Sequence, residues 1–490
     1  MNYADRLASL GAAVPEILLP KEGIDLSKWA VIACDQHTQD RRYWEQVRSI
    51  AEGSPSTLNL IYPEVYLEEP DKEQRIAAIH RAMQQYLTAD IFTAPQKTLV
   101  YVERSTPFCQ SKGSRKGLLI ALDLEAYDWK TGIPPEVSPL LIRPLLIRPT
   151  EETVPERLPS RMDIRRGAPL ETPHILVLLD DEENTLLPAL GERAFAKQAK
   201  NYTGKTEAAG SKTLYDAELM LGGGRVKGWK LDGEDDWEFL AGGLEKLAQK
   251  AAKQVNTAAA PFLYAAGDGN HSLAAAKGVW EEYKASHRDD PNLMNHPARW
   301  ALVELENLYD PALCFEPIHR LLFGTDTATV QQALERLPGY VCRELTTPAN
   351  SASELASLVQ DDTCGRFRLG IVSLGQCFLI EADPVPLAVD ALQPLLDELL
   401  DKQNSNEQNG RGQNSKISMD YIHGSEELFG LASKQNAGDS GTNAVGILLP
   451  PFRKQGLFET IAKNGPLPRK SFSMGEAGEK RFYLECRKLF

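Results

Sequence analysis

Residues 263–277 read LYAAGDGNHSLAAAK. A short apolar run meets Gly-Asp-Gly, then Asn-His-Ser, and then an alanine-rich stretch of helical character. Short apolar runs bounded by turn formers read as buried strands. The spacing therefore predicts a strand over 262–266, a turn over 267–271 and a helix over 272–287. In such a turn Gly267 and Gly269 let a ligand approach the backbone closely. The N–H groups of Asn270, His271 and Ser272 would open the helix, where missing partners and the helix dipole favour an anion. His271 adds a hydrogen bond or a positive charge. Asp268 suits a phosphate site only if it holds a metal or takes a proton from an attacking hydroxyl. The plain alternative is that Asp268 or Asn270 caps the helix and His271 packs. The pattern is neither a Walker A loop nor a dinucleotide fingerprint.

Outward from this stretch, HILVLL (174–179), KTLVYVE (97–103), GLLIALDL (117–124) and AVGILLP (444–450) read as further buried strands. RIAAIHRAMQQYL (75–87), WEFLAGGLEKLAQKAAKQV (237–255) and LAAAKGVWEEYKASH (273–287) carry helical period. Strands and helices alternate irregularly, and GGGRVKGWKLD (222–232) reads as a hairpin rather than a phosphate loop. The expected fold class is α+β, or mixed α/β, with mixed sheets. QNSNEQNGRGQNS (403–415) is polar enough to be a mobile loop. The expected organisation is a main body over 1–402, that loop, and a C-terminal segment over 416–490 that packs back on the body. LLIRP occurs in tandem at 140–144 and 145–149, too short for a structural repeat.

The chain has 490 residues, a net charge of −14 and 42% hydrophobic residues, enough to bury a large core. Its acidity repels nucleic acid and anionic membranes. Seven scattered cysteines without a C-x-x-C spacing argue against a disulfide framework or structural zinc. No apolar run approaches the roughly 18 residues of a membrane span. These features predict a cytoplasmic protein with a small-molecule partner.

Four other segments carry chemistry-bearing side chains. RPTEETVPERLPSRMDIRR (148–166) holds Arg148, Arg157, Arg161, Arg165 and Arg166 among Glu151, Glu152 and Glu156. Its prolines predict an extended, turned loop, either a binder of carboxylate or phosphate or a solvated, salt-bridged connector. VIACDQHTQD (31–40) offers a Cys34–His37 pair, or Asp35, His37 and Asp40 as metal ligands, or a small buried cysteine at a strand end. LPRKSFS (467–473) places Lys470 and Ser471 beside prolines. FEPIHRLLF (315–323) is read as the start of a helix carrying Glu316, His319 and Arg320.

Together these stretches resemble the family catalogued as domain of unknown function 1015. GDGNHSLAAAK is similar to its D-G-H-H-R-x-x-A motif. The glutamate- and arginine-bearing loop, PIHR (317–320) and PRKS (468–471) fall in that family's order. The resemblance runs from about residue 14 to the C-terminus and is closest to the branch with GDGNHS and the ending SFSMGEAGEKRFYLECRK. The D-G-x-H turn looks like the phosphate-binding turn of the ParB and sulfiredoxin superfamily, which includes free-serine kinases.

That resemblance implies a nucleotide-dependent (ATP or ADP) phosphotransferase with Mg²⁺, acting on a small hydroxyl-bearing metabolite. Gly267, Gly269, Asn270, His271, Ser272 and Lys470 would hold the nucleotide. Asp268 would be base or metal ligand, with His271, Glu151 and Glu156 as further catalytic groups. Arg148, Arg157 and Arg161 would hold the acceptor. This chain has Ser272 where most members have arginine, so a phosphate-facing cation must come from elsewhere: Arg148, Arg157, Lys277 and Lys470 are candidates. A nucleotide-binding switch without transfer chemistry, and a metal-dependent hydrolase or isomerase using Asp35, His37 and Asp268, are the alternatives.

Overall fold

The computed structural model describes residues 1–107, 113–130, 145–200, 213–255, 262–345, 351–361, 363–408, 417–433 and 444–490. Two compact units emerge. One comprises Met1–Cys314, Ile461–Pro466 and Met474–Phe490; the other comprises Phe315–Thr460 and Leu467–Ser473. The fold is α+β, with mixed parallel and antiparallel pairing.

The first unit is built on a mixed sheet. Its strands run in the spatial order Tyr215–Leu219, Gly224–Leu231, Leu99–Ser105, Arg115–Asp123, Trp300–Asn307, Leu176–Leu179, Tyr264–Asp268 and Ile147–Pro149. Leu176–Leu179 is buried throughout, as a continuous apolar run demands of a central strand. Tyr215–Leu219, at the sheet edge, alternates buried and exposed residues. It pairs in hairpin with Gly224–Leu231, as GGGRVKGWKLD predicts. Tyr264–Asp268 runs parallel to Ile147–Pro149 on one side and antiparallel to Leu176–Leu179 on the other. That register brings two segments flagged in the sequence, 148–166 and the 267–272 turn, to one end of the sheet, beside His174.

In the second unit a sheet takes the order Val341–Glu344, Gln376–Ala382, Phe367–Ser373, Val445–Leu448, Phe315–Phe323 and Ser418–His423. Successive residues feed opposite cores. Leu322, Ile371 and Ile447 pack with Val330, Leu392 and Leu396. Leu321, Val372 and Leu448 pack with Leu355, Leu428 and Ala432. Helices on both faces thus explain the near-continuous burial of these strands.

Three local expectations are corrected. FEPIHRLLF is the strand Phe315–Phe323, not a helix start. It is hydrogen-bonded along both edges, and Pro317 lies just ahead of its first paired residue on the Ser418–His423 side, Ile318. Residues 158–165 form the helix Leu158–Arg165, where an extended loop is expected. Pro159 falls in its first turn, where a missing N–H breaks no helical hydrogen bond. The helix Ala388–Gln408 continues into the stretch read as a mobile loop, of which 409–415 lie outside the described residues, as does the first LLIRP copy.

Candidate functional site

The turn has the form its sequence implies. Strand Tyr264–Asp268 passes through Gly269 into the helix Asn270–Ser286. Gly269 is the N-cap with φ 75°, and no side chain caps the helix. A side chain at Gly269 would be strained by that φ, and its Cβ would lie 3.2 Å from the Ile175 Cα. At Gly267 a Cβ would fall 2.4 Å from Met474 Sδ. Gly269 is therefore held to glycine by its backbone conformation, whereas a side chain at Gly267 would have to displace Met474.

The helix then presents small residues. Ala274, Ala275 and Ala276 are buried, and a Cβ on Gly278 would lie 2.8 Å from Met162 Sδ. This thin face lets the helix Leu158–Arg165 approach closely, which carries Arg161 towards the start of the 270–286 helix. Thr150 ties the same segment down, donating through its N–H (3.0 Å) and hydroxyl (2.8 Å) to Ala266 O. Val154 N–H donates to His271 Nε2 at 3.2 Å. His271 thus holds the 148–166 segment against the turn through a ring nitrogen that must be unprotonated to accept.

Asp268 accepts Gly269 N–H at 3.0 Å and pairs with Lys480 Nζ at 3.3 Å. Ser272 Oγ lies 2.8 Å from His174 Nε2. His174 Nδ1 lies 3.1 Å from Tyr483 OH, which accepts Cys34 N–H at 3.0 Å. Burial pushes the His174 pKa below the usual imidazole value against the pull of Asp35 and Asp268. Burial likewise raises the Cys34 thiol, with Asp35 and Glu64 adding to the effect, so this cysteine is no thiolate nucleophile.

Beside the turn opens a solvent-accessible pocket. Leu60, Ile61, Met83, Ile164 and Leu170 supply apolar wall; Ser272, His174, Tyr483, Cys34, Arg161 and Glu64 supply its chemistry. Arg161 ion-pairs with Glu64 and donates to Arg157 O at 2.7 Å. Burial, with Asp35 adding to it, pushes the Glu64 carboxyl up even against the pull of Arg161. The pocket thus joins two arginines, Arg161 and Arg165, two carboxyls, Glu64 and Glu171, and the His174 imidazole within apolar walls.

The C-terminal segment anchors this arrangement. Arg481 ion-pairs with Glu304 and Glu485 and donates to Pro173 O at 3.0 Å, immediately before His174. Phe482–Tyr483 pairs with Val31–Ile32, which sets Tyr483 OH against Cys34. Arg487 and Arg165 converge on buried Glu171; burial raises that carboxyl, but the two arginines outweigh it and hold it below its usual value.

The other expected site residues have contacts of their own. Arg148 donates to Ile461 O and Ala462 O, each at 3.3 Å, at the end of the helix Leu457–Asn464, and sits over the Phe262 ring. Glu156 and Arg157 are exposed, and Glu151 is half-buried. Lys277 pairs with Glu281 at 2.7 Å, and Lys470, with φ 59°, belongs to the second unit. His37 stacks on Tyr43 with ring centroids 3.7 Å apart, while Asp40 accepts Tyr43 N–H and caps a helix. Among the described residues no three His, Cys, Asp or Glu side chains gather to hold a metal, so the expected Asp35–His37–Asp268 set is not assembled. Sequence reading missed Lys480, His174, Tyr483 and Glu64. Two of them lie in the quoted GEKRFYLECRK ending, where the Lys-Arg pair beside aromatics was the available signal.

Several solved structures are similar over 70% of this chain. A free serine kinase in complex with AMP is 11% identical, with 89% of that chain covered and a TM-score of 0.32. A point variant of a free serine kinase in complex with ADP gives 12%, 89% and 0.33. A conserved hypothetical protein from Pyrococcus furiosus gives 11%, 92% and 0.32. No curated protein matches the chain. Among the described residues no helix is long and apolar enough to cross a membrane. Residues 18–369 match the protein family of unknown function DUF1015, and the chain belongs to that family.

Proposed function

We propose that the protein is a nucleotide-dependent phosphotransferase whose acceptor is a small metabolite bearing a hydroxyl and a carboxylate. The observation that carries this reading is the uncapped helix start at Gly269 opening beside a pocket that holds Arg161. The ATP or ADP phosphates rest on the Gly267–Ser272 backbone, where first-turn N–H groups and the helix dipole favour negative charge. Lys480 pairs with Asp268 and stands in for the guanidinium that the Ser272 position lacks.

The acceptor occupies the pocket. Arg161 exchanges Glu64 for the acceptor carboxylate, an exchange eased because burial favours the neutral Glu64 carboxyl. Asp268 is the base that takes the acceptor's hydroxyl proton. Mg²⁺ bound mainly by phosphates needs only one or two protein carboxylates, and Asp268 is the one carboxylate within the 267–272 turn. Bound there, the ion would screen phosphate charge. His271 ties the turn that receives the phosphates to the segment carrying Arg161 through its accepting nitrogen, so its loss disturbs the nucleotide site as well as the acceptor site.

The test is thermal unfolding with and without Mg²⁺ and ADP or ATP. Nucleotide raises the melting temperature of the wild type, and His271→Ala abolishes the increase. Stabilisation without any phosphorylated metabolite, accompanied by a change in oligomer size, would instead identify a nucleotide-binding switch.

A further inference from the structure

Ser272 occupies the position where the resembled motif carries arginine, and its contacts are those of an activated hydroxyl. Its Oγ is 2.8 Å from His174 Nε2 and both residues face the pocket. Tyr483 OH accepts Cys34 N–H and has a second lone pair for a hydrogen on His174 Nδ1, 3.1 Å away. That tautomer leaves Nε2 free to take the Ser272 proton. Burial keeps the imidazole neutral, as a base must be. Arg481 fixes the carbonyl of Pro173, one residue before His174, so the backbone that carries the ring is held too.

A nucleophile needs a stabilised product. Ser272 is the third residue of the helix Asn270–Ser286. A phosphate on its Oγ would meet first-turn N–H groups and the positive end of the helix dipole, an arrangement that stabilises phosphoserine. Arg161 lines the same pocket.

We propose that Ser272 is a catalytic nucleophile that receives the phosphoryl group from the nucleotide before the acceptor does. This rests on the functional reading above. In the first step the Ser272 Oγ–P bond forms and the bond between the transferred phosphorus and the nucleotide's bridging oxygen breaks. The Ser272 proton moves to His174 Nε2, and the nucleotide leaves one phosphate shorter. In the second step the acceptor hydroxyl attacks phosphorus and the P–Oγ bond breaks. Ser272 recovers its proton from His174, and the acceptor proton passes to Asp268. His174 is a catalytic base; Tyr483 is a positioning residue.

The experiment is acid-quenched mass spectrometry of the full-length protein mixed with Mg²⁺ and ADP or ATP, without acceptor, with the wild-type thermal shift measured in parallel. The expected result is a phosphopeptide mapping to Ser272 that disappears when a pool of hydroxy acids and amino acids is added. His174→Gln slows its formation by about 10²-fold or more and removes the pH dependence that a titrating imidazole gives. Nucleotide that stabilises the wild type while Ser272 stays unmodified would overturn the proposal, as would a Ser272→Ala protein that phosphorylates acceptor at the wild-type rate. Failure of every nucleotide to stabilise the wild type would remove the functional reading itself, and this proposal with it.

Discussion

His271 Nε2 accepts the Val154 N–H at 3.2 Å, joining the glycine turn to a segment more than a hundred residues earlier in the chain. This bond makes the turn and the Arg161-bearing helix one construction. His271→Ala leaves a partly buried N–H without its acceptor and loosens the 150–157 segment. The expected cost is about 1–3 kcal/mol of stability, with nucleotide stabilisation lost. His271→Gln, able to accept through its amide oxygen, recovers part of both. Urea unfolding with and without nucleotide measures the two effects.

Gly269 and Gly267 make different demands. Gly269→Ala is penalised by φ 75° whatever the space around it and costs about 1–3 kcal/mol. Gly267→Ala fails through a contact with Met474 Sδ. Met474→Ala should therefore rescue Gly267→Ala but not Gly269→Ala. A double-mutant cycle in urea reads the difference.

Arg161 separates acceptor binding from nucleotide binding. Arg161→Lys keeps the charge but loses the planar fork. The expected result is a KM for the acceptor at least about tenfold higher and an unchanged nucleotide thermal shift. Equal loss of both would place Arg161 in the phosphate site instead.

The second unit carries its own pH dependence. Burial, with Arg320 and His423 beside it, holds His319 down at about 4. Its Nδ1 accepts Leu449 N–H at 3.1 Å, which requires the neutral ring. The unfolded chain takes this proton near 6.5, so it binds more protons than the folded state between about 6.5 and 4. The His319 contribution is complete above about 6.5 and is lost as the pH falls towards 4, roughly 3 kcal/mol over the interval. His319→Gln should flatten that part of the profile in denaturant titrations at pH 7.5 and 5.

The strand–turn–helix at 264–286 was legible because one apolar run, two glycines and an alanine-rich helix follow one another without interruption. The Phe315–Phe323 strand was not, because its burial comes from helices on both faces of a sheet assembled from residues far along the chain. Pro159 misled for a local reason: a proline that breaks a helix interior is harmless in its first turn. His174, Lys480 and Tyr483 reach the turn from segments remote in sequence, so no spacing rule connects them with it. Arg148 looked like an anion binder by type, yet it serves the carbonyls of a helix end.

The central claim is that the 267–272 turn binds nucleotide phosphates beside an acceptor pocket. Isothermal titration of the wild type and His271→Ala with ADP or ATP in the presence of Mg²⁺ tests it most directly. The account predicts one nucleotide per chain for the wild type and no measurable binding for His271→Ala. Absence of binding to the wild type, or equal binding by both proteins, would contradict it.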